Sequence, residues 1–232
     1  MYRECWSRLK RILSTLRDII PIALLFLWPL SAAVMAGSDS IRLALTESHP
    51  DTSHDSAAVL RFKTWKKLIL THQNSSTLDK LKATNDFFNQ FHFEKDSGYQ
   101  GVTDYWKTPE EFIADGSGDC EDFSIAKYFT LLALDLPLNT LRITYVKSVT
   151  LNQAHMVLAY YPTPQSEPLV LDNLVSDILP ASKRPDLVPI YSFNGKGLWL
   201  AKQRGQDKPL GNASQLSKWR QVIQRMKKGD AP

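Results

Sequence analysis

Thiol-based acyl chemistry needs a sulfur nucleophile, a base to carry its proton and an acid to hold the base in place. Cys120, His155 and Asp172 supply these types. Cys120 lies in DGSGDCEDFS (Asp115 to Ser124), where Gly116 and Gly118 permit a tight turn before CEDFSIAKYFTLLALDL resumes helical periodicity. A cysteine at, or one residue from, a helix N-terminus meets unpaired N–H groups and the positive end of the helix dipole, which favour a thiolate. His155 opens the apolar stretch AHMVLAYY, and Asp172 closes Leu169-Val170-Leu171 on the next expected strand. Antiparallel neighbours bring the start of one strand to the end of the next, so the two side chains are expected to meet. Asn173 is an alternative orienting group, but its side chain is expected on the other face. Taken singly, Cys120 has the alternative reading of an inert core residue, and His155 that of a core or strand-edge histidine. His49, His54, His72 and His92 lie in a polar leader or early helices, without this glycine-turn and strand setting.

Asp119, Glu121 and Asp122 flank the cysteine. Unneutralised, they would raise its pKa and hinder attack. Hard oxygen donors suit calcium or magnesium, and a bound cation would cancel this charge. The pattern is not an EF-hand, and zinc would have to recruit the nucleophile itself. The other reading is helix-start acids, favoured in a first turn by the dipole. Ser117 and Asp115 are weaker additional contacts for a cation.

The elements that must position these groups divide by period. AAVLRFKTWKKLILTH places Leu60, Trp65, Leu68 and Ile69 at helical spacing, and SSTLDKLKATNDFFNQF follows with a capping signal from Ser76 to Asp79 and an apolar stripe of Leu78, Leu81, Phe88 and Phe91. Thr108-Pro109-Glu110-Glu111 reads as cap, first-turn proline and reciprocal glutamate of a short helix ending near Ala114. After Pro137 the pattern becomes strand-like, in LRITYVKSV, AHMVLAYYP and EPLVLDNL, with further strands at LVPIYSFNG and GLWLAK. SQLSKWRQVIQRMKK closes the chain as an amphipathic helix, its Leu216, Trp219, Val222, Ile223 and Met226 on one side. The expected class is α+β, with a helical amino-terminal part packed on an antiparallel sheet.

Composition and charge bound the function. At 232 residues and 43% hydrophobic content the chain can bury a core. Its basic character is concentrated at the start: residues 1–36 carry five basic and two acidic side chains, the remainder 23 and 22. That leaves little to attract nucleic acid. The basic segment MYRECWSRLKRILSTLR, the apolar run IIPIALLFLWPLSAAVMA and the small residues at Val34-Met35-Ala36 fit an export signal cleaved after Ala36. Retention as an anchor is the alternative, but about 18 residues with two prolines is short for a span. The expected organisation is a signal peptide at 1–36, a polar leader at 37–56 with a short strand at 41–45, and one domain at 57–232. That domain comprises a helical part 57–136, a sheet part 137–212 and a carboxy-terminal helix 213–228. Cleavage would remove Cys5, so the exported protein would carry one cysteine, Cys120, with no disulfide partner.

GSGDCEDFSIAKYFTL, AHMVL and LVLDNL together resemble the bacterial transglutaminase-like cysteine proteinases, in particular their periplasmic adhesin-cleaving members, over about residues 50–228. The resemblance implies a papain/transglutaminase-like fold and a catalytic triad of Cys120, His155 and Asp172. It also implies activating calcium held by Asp119, Glu121 and Asp122, with no other cofactor. The implied substrate is an extended segment near the amino terminus of a large repeat adhesin, cut at a pair of small residues so that the adhesin is released and biofilm disperses. The implied partner is an inner-membrane cyclic di-GMP receptor that sequesters the protease; nucleic acid is not expected. Trp106 is placed near the active turn, either contacting substrate or receptor or packing the domain. Transglutaminase-type acyl transfer with the same triad, and a non-catalytic exported binding module, are the competing functions.

Overall fold

The computed structural model describes residues 55–95, 104–201 and 208–228, all within one compact unit. The expected export signal, the short strand at 41–45 and the leader up to residue 54 lie outside the described residues; the leader's last two expected residues, Asp55 and Ser56, instead cap and open the first helix. Within them, no helix is long and apolar enough to cross a membrane.

Helix α1 (Ser56–His72) starts where the Asp55 side chain accepts the Ala57 N–H at 2.8 Å. It buries Ala58, Phe62, Trp65 and Ile69, a stripe at three- and four-residue spacing. Leu60, grouped by spacing with the buried residues, is 64% exposed, because two residues from either Ala58 or Phe62 turns a side chain to the opposite face. Helix α2 (Thr77–Phe88) buries Leu81, Phe87 and Phe88. Leu78, in its first turn, is 63% exposed, so the apolar stripe begins one turn later than expected. Ser76 does cap α2: its hydroxyl oxygen accepts the Asp79 N–H at 3.2 Å.

Helix α3 (Pro109–Asp115) carries the full capping box read from Thr108 and Glu111. Gly116 ends it at φ 73°, where its N–H bonds Phe112 at 2.9 Å; an added Cβ would lie 2.8 Å from the Arg61 guanidinium carbon. A two-residue parallel pairing then forms between β1 (His92–Phe93) and β2 (Ser117–Gly118). It ties the turn before Cys120 to the end of α2. Residues this short and polar carry no periodicity, so the pairing left no trace in the sequence pattern. Gly118 has its own requirement, since a Cβ there would sit 2.4 Å from an Asp122 carboxylate oxygen.

Helix α4 (Cys120–Ala133) is the centre of the core, with every residue from Asp122 to Ala133 buried. It lies against β3 (Leu141–Ser148) and β4 (Gln153–Tyr160). The sheet continues through β5 (Leu169–Leu171), β6 (Leu179–Pro180), β7 (Leu187–Phe193), β8 (Leu198–Leu200) and β9 (Lys208–Gly211), in the order β6-β5-β4-β3-β7-β8-β9. All neighbours are antiparallel, as expected for short connections. Pairing of Leu158 with Leu171 places β5 beside the second half of β4, so that the chain leaving β5 at Asp172 runs toward the end of β4 that carries His155. A 3-10 turn (Ala213–Gln215) precedes α5 (Ser217–Lys228), so the α-helix begins later than the expected residue 213. Trp219 and Val222 are buried from α5, and Trp219 stacks on Phe129 at 5.6 Å. This is the packing expected of its apolar side.

Phe88 and Leu78 make a direct test. Phe88 is fully buried and stacks on Phe112 at 6.0 Å, so Phe88→Ala should cost about 3–5 kcal/mol. Leu78→Ala should change stability by less than about 0.5 kcal/mol. Urea midpoints at constant slope measure both.

Candidate active site

Asp119 is the N-cap of α4 and Cys120 its first residue. The Asp119 carboxylate accepts the Glu121 N–H at 3.2 Å, and Asp122 reaches back to the Asp119 N–H at 3.3 Å. The other Asp122 oxygen accepts the Lys107 N–H at 2.8 Å, so a buried carboxylate joins the helix start to the segment ahead of α3. Lys107 is buried as well. Its ammonium pairs with Asp115 at 2.8 Å and donates to the Ser117 carbonyl at 2.9 Å, while the Ser117 hydroxyl donates to Glu94 at 2.9 Å. Asp115 and Ser117, weak candidates for a cation, thus brace the turn.

The Cys120 thiol donates to Glu121 Oε2 at 2.8 Å. Burial raises its pKa most, the Glu121 charge and hydrogen bond raise it further, and Asp119 adds to this. The Met156 backbone N–H bonds the sulfur and works in the opposite direction. The first turn of α4 therefore meets β4 one residue beyond His155. Burial and the acidic flanks together favour the protonated thiol, and a cation that offset the flanking charge would shift the balance toward the thiolate.

His155 and Asp172 do meet. His155 Nε2 lies 2.7 Å from Asp172 Oδ1, with the two side chains 3% and 0% exposed. This leaves Nδ1 as the ring nitrogen for exchange with a nucleophile. Asp172, not Asn173, makes the bond. Burial works to raise the Asp172 carboxyl, but the bond and charge of His155, the Leu174 N–H and Arg184 outweigh it and hold the pKa down at about 2. Arg184 Nη2 contacts Asp172 Oδ2 at 2.7 Å and Asp186 at 2.8 Å. Asn89 donates to the Asp172 carbonyl at 2.8 Å, and Lys127 donates to Asn89 at 2.7 Å. Burial lowers the Lys127 pKa to about 7 against the pull of Asp172.

These supporting groups were missed by sequence reasoning. Lys127 had a signal: it is a lone charge inside the otherwise apolar IAKYFTLLAL. Arg184 sits in the turn-rich KRPDL, where nothing marks one basic residue from another. His92 lies exposed in β1, and His72 bonds a carbonyl of its own helix, Leu68, at 3.0 Å. His49 and His54 fall outside the described residues. Trp106 packs the domain: it is 7% exposed and stacks on Phe193 at 5.9 Å.

In kind, Asp119, Glu121 and Asp122 fit a hard cation, being oxygen donors only. Among the described residues, however, no three His, Cys, Asp or Glu side chains are grouped as a metal site. Asp119 and Asp122 face capping N–H groups, and Glu121 accepts the thiol hydrogen bond.

A helical half on an antiparallel sheet, with a cysteine opening the central helix, is a transglutaminase-like cysteine protease fold. The model of the bacterial transglutaminase-like cysteine proteinases (BTLCP) matches residues 53–201, and the chain belongs to that family. Among solved structures it is similar to Legionella pneumophila LapG. An EGTA-treated form is 49% identical, with 82% of this chain and 97% of that one covered and a TM-score of 0.70. A calcium-bound form is 50% identical, with 82% and 98% covered and a TM-score of 0.68. No curated protein matches.

The Asp172 environment sets a pH dependence of stability. Its folded pKa of about 2 lies below the unfolded value of about 3.9, so its contribution is complete above pH ~4 and is lost as pH falls through 2. The wild type should lose on the order of 2 kcal/mol more than Asp172→Asn between pH 4 and 2, measured by urea unfolding at each pH.

Proposed function

We propose that the protein is a calcium-dependent cysteine endopeptidase using Cys120, His155 and Asp172. The observation that carries this is the buried 2.7 Å contact of His155 Nε2 with Asp172, on the strand whose next N–H bonds the Cys120 sulfur. Cys120 sulfur, once deprotonated, attacks the peptide carbonyl. Backbone N–H groups at the start of α4 stabilise the oxyanion. His155 donates its proton to the leaving amine and then draws one from water to clear the thioester. Asp172 holds the ring throughout and keeps its own charge.

Asp119, Glu121 and Asp122 would hold calcium, whose charge would offset the carboxylates that, with burial, disfavour the thiolate. The calcium-bound LapG relative and the donor chemistry support this reading. The family resemblance supports export to the periplasm and cleavage near the amino terminus of a large surface adhesin, releasing it and promoting biofilm dispersal. It also supports sequestration by an inner-membrane cyclic di-GMP receptor.

The test is incubation of purified protein with adhesin amino-terminal regions, with and without calcium, followed by intact-mass analysis. Two fragments whose masses sum to substrate plus one water are expected in calcium. Thorough chelation should sharply reduce cleavage, and Cys120→Ala should abolish it while leaving the fold intact. Cleavage by Cys120→Ala, or crosslinked products with loss of ammonia, would contradict the assignment.

A further inference from the structure

We infer that Arg184 is a positioning residue for the reaction: its guanidinium fixes the Asp172 carboxylate so that Oδ1 stays on His155, and it offsets the buried charge so that Asp172 orients the ring without taking its proton. The inference rests on the triad reading above. Its geometry is independent of the cysteine.

Asp172 is buried and carries two side-chain contacts on two different oxygens. Oδ1 is 2.7 Å from His155 Nε2 and also accepts the Leu174 N–H at 3.1 Å. Oδ2 is 2.7 Å from Arg184 Nη2. A carboxylate held on both oxygens cannot rotate about its terminal torsion without breaking a charged hydrogen bond. Arg184 is itself fixed from outside. Asp186 accepts Nε at 3.0 Å and Nη2 at 2.8 Å, and the Asp186 carbonyl accepts the Val149 N–H at 2.7 Å, just past the end of β3. The clamp is thereby anchored to the hairpin whose second strand carries His155.

The energetics argue against a purely structural purpose. Arg184 is 4% exposed, and among the described residues its buried Nη1 has no hydrogen-bond partner. Burying a guanidinium with one nitrogen unsatisfied is costly, and an apolar side chain in such a place is often neutral or stabilising. The gain lies at Asp172. An isolated buried carboxylate beside an imidazole would compete for its proton, and the reaction needs that proton delivered to a leaving amine. The titratable and charged groups facing Asp172 are His155 from β4, Arg184 from the loop before β7, with Asp186 behind it, and Lys127 from α4 through Asn89. Among the described residues, Arg184 is the one arginine or lysine side chain that contacts the carboxylate directly.

The test compares wild type, Arg184→Met, Arg184→Lys and Asp186→Asn in calcium-replete protein. Peptide cleavage gives kcat and KM, and nitrogen-edited NMR of the uncleaved enzyme reads the slowly exchanging Nε2–H proton of His155. Arg184→Met should lower kcat about 10- to 100-fold with KM within about twofold, and should lose the downfield Nε2–H signal. Arg184→Lys should fall between it and wild type on both measures, because it keeps the charge without the fork. A folded Arg184→Met with wild-type kcat and an intact signal would overturn the inference, as would a loss confined to KM. If Arg184→Met does not fold, Asp186→Asn decides. It should lower kcat by a smaller factor and weaken the signal; unchanged kcat and signal would overturn the inference. Residual cleavage by Cys120→Ala separates failure of the triad reading from failure of this one, since the NMR comparison does not depend on turnover.

Discussion

The hydrogen bond between His155 and Asp172 is the constraint around which the domain is arranged. A carboxylate with no solvent contact must be compensated on every side. Here the compensation comes from three segments: the imidazole of β4, the Leu174 N–H just past Asp172, and Arg184 ahead of β7, while Asn89 at the end of α2 donates to the Asp172 backbone carbonyl. The surrounding helices and strands must hold their places for that set to close. Lys127, buried in α4, extends the arrangement through Asn89 into the helical half. The helical and sheet halves are therefore joined by polar contacts at the site as well as by the apolar core beneath it.

The start of α4 poses the opposite electrostatic problem. Its carboxylates fulfil a structural task, since Asp119 and Asp122 satisfy the N–H groups at the helix start and Asp122 also anchors Lys107. The cost falls on Cys120, whose thiol is driven toward the protonated form by burial and by Glu121. A sequence that places acids beside its nucleophile needs a compensating charge for turnover. That need is the physical reason for proposing calcium here, alongside the oxygen-only donor set.

Much of this was legible in the sequence, for specific reasons. The period change after Pro137 marked the passage from helices to antiparallel strands, and Thr108, Pro109 and Glu111 announced a capping box that forms as read. His155 and Asp172 could be paired on paper because they fall at opposite ends of consecutive antiparallel strands. Spacing failed where the pattern was ambiguous. Leu60 and Leu78 are apolar but exposed, because neither an apolar type nor its neighbour spacing says where the covering element begins and ends. The β1–β2 pairing, β6 and the edge strand β9 are too short or too polar to carry a period. Arg184 was invisible for a different reason: its meaning lies in a contact twelve residues away across a turn, which no local pattern encodes.

The central claim is that His155, held by Asp172, makes Cys120 a nucleophile. Its most direct measurement is the rate of Cys120 alkylation by iodoacetamide in saturating calcium at neutral pH, followed by intact mass, for wild type and His155→Asn. The account predicts rapid single-site labelling of the wild type and a rate lower by at least about tenfold in the variant. Equal rates in two folded proteins would mean that the imidazole does not activate the sulfur, and would contradict the account.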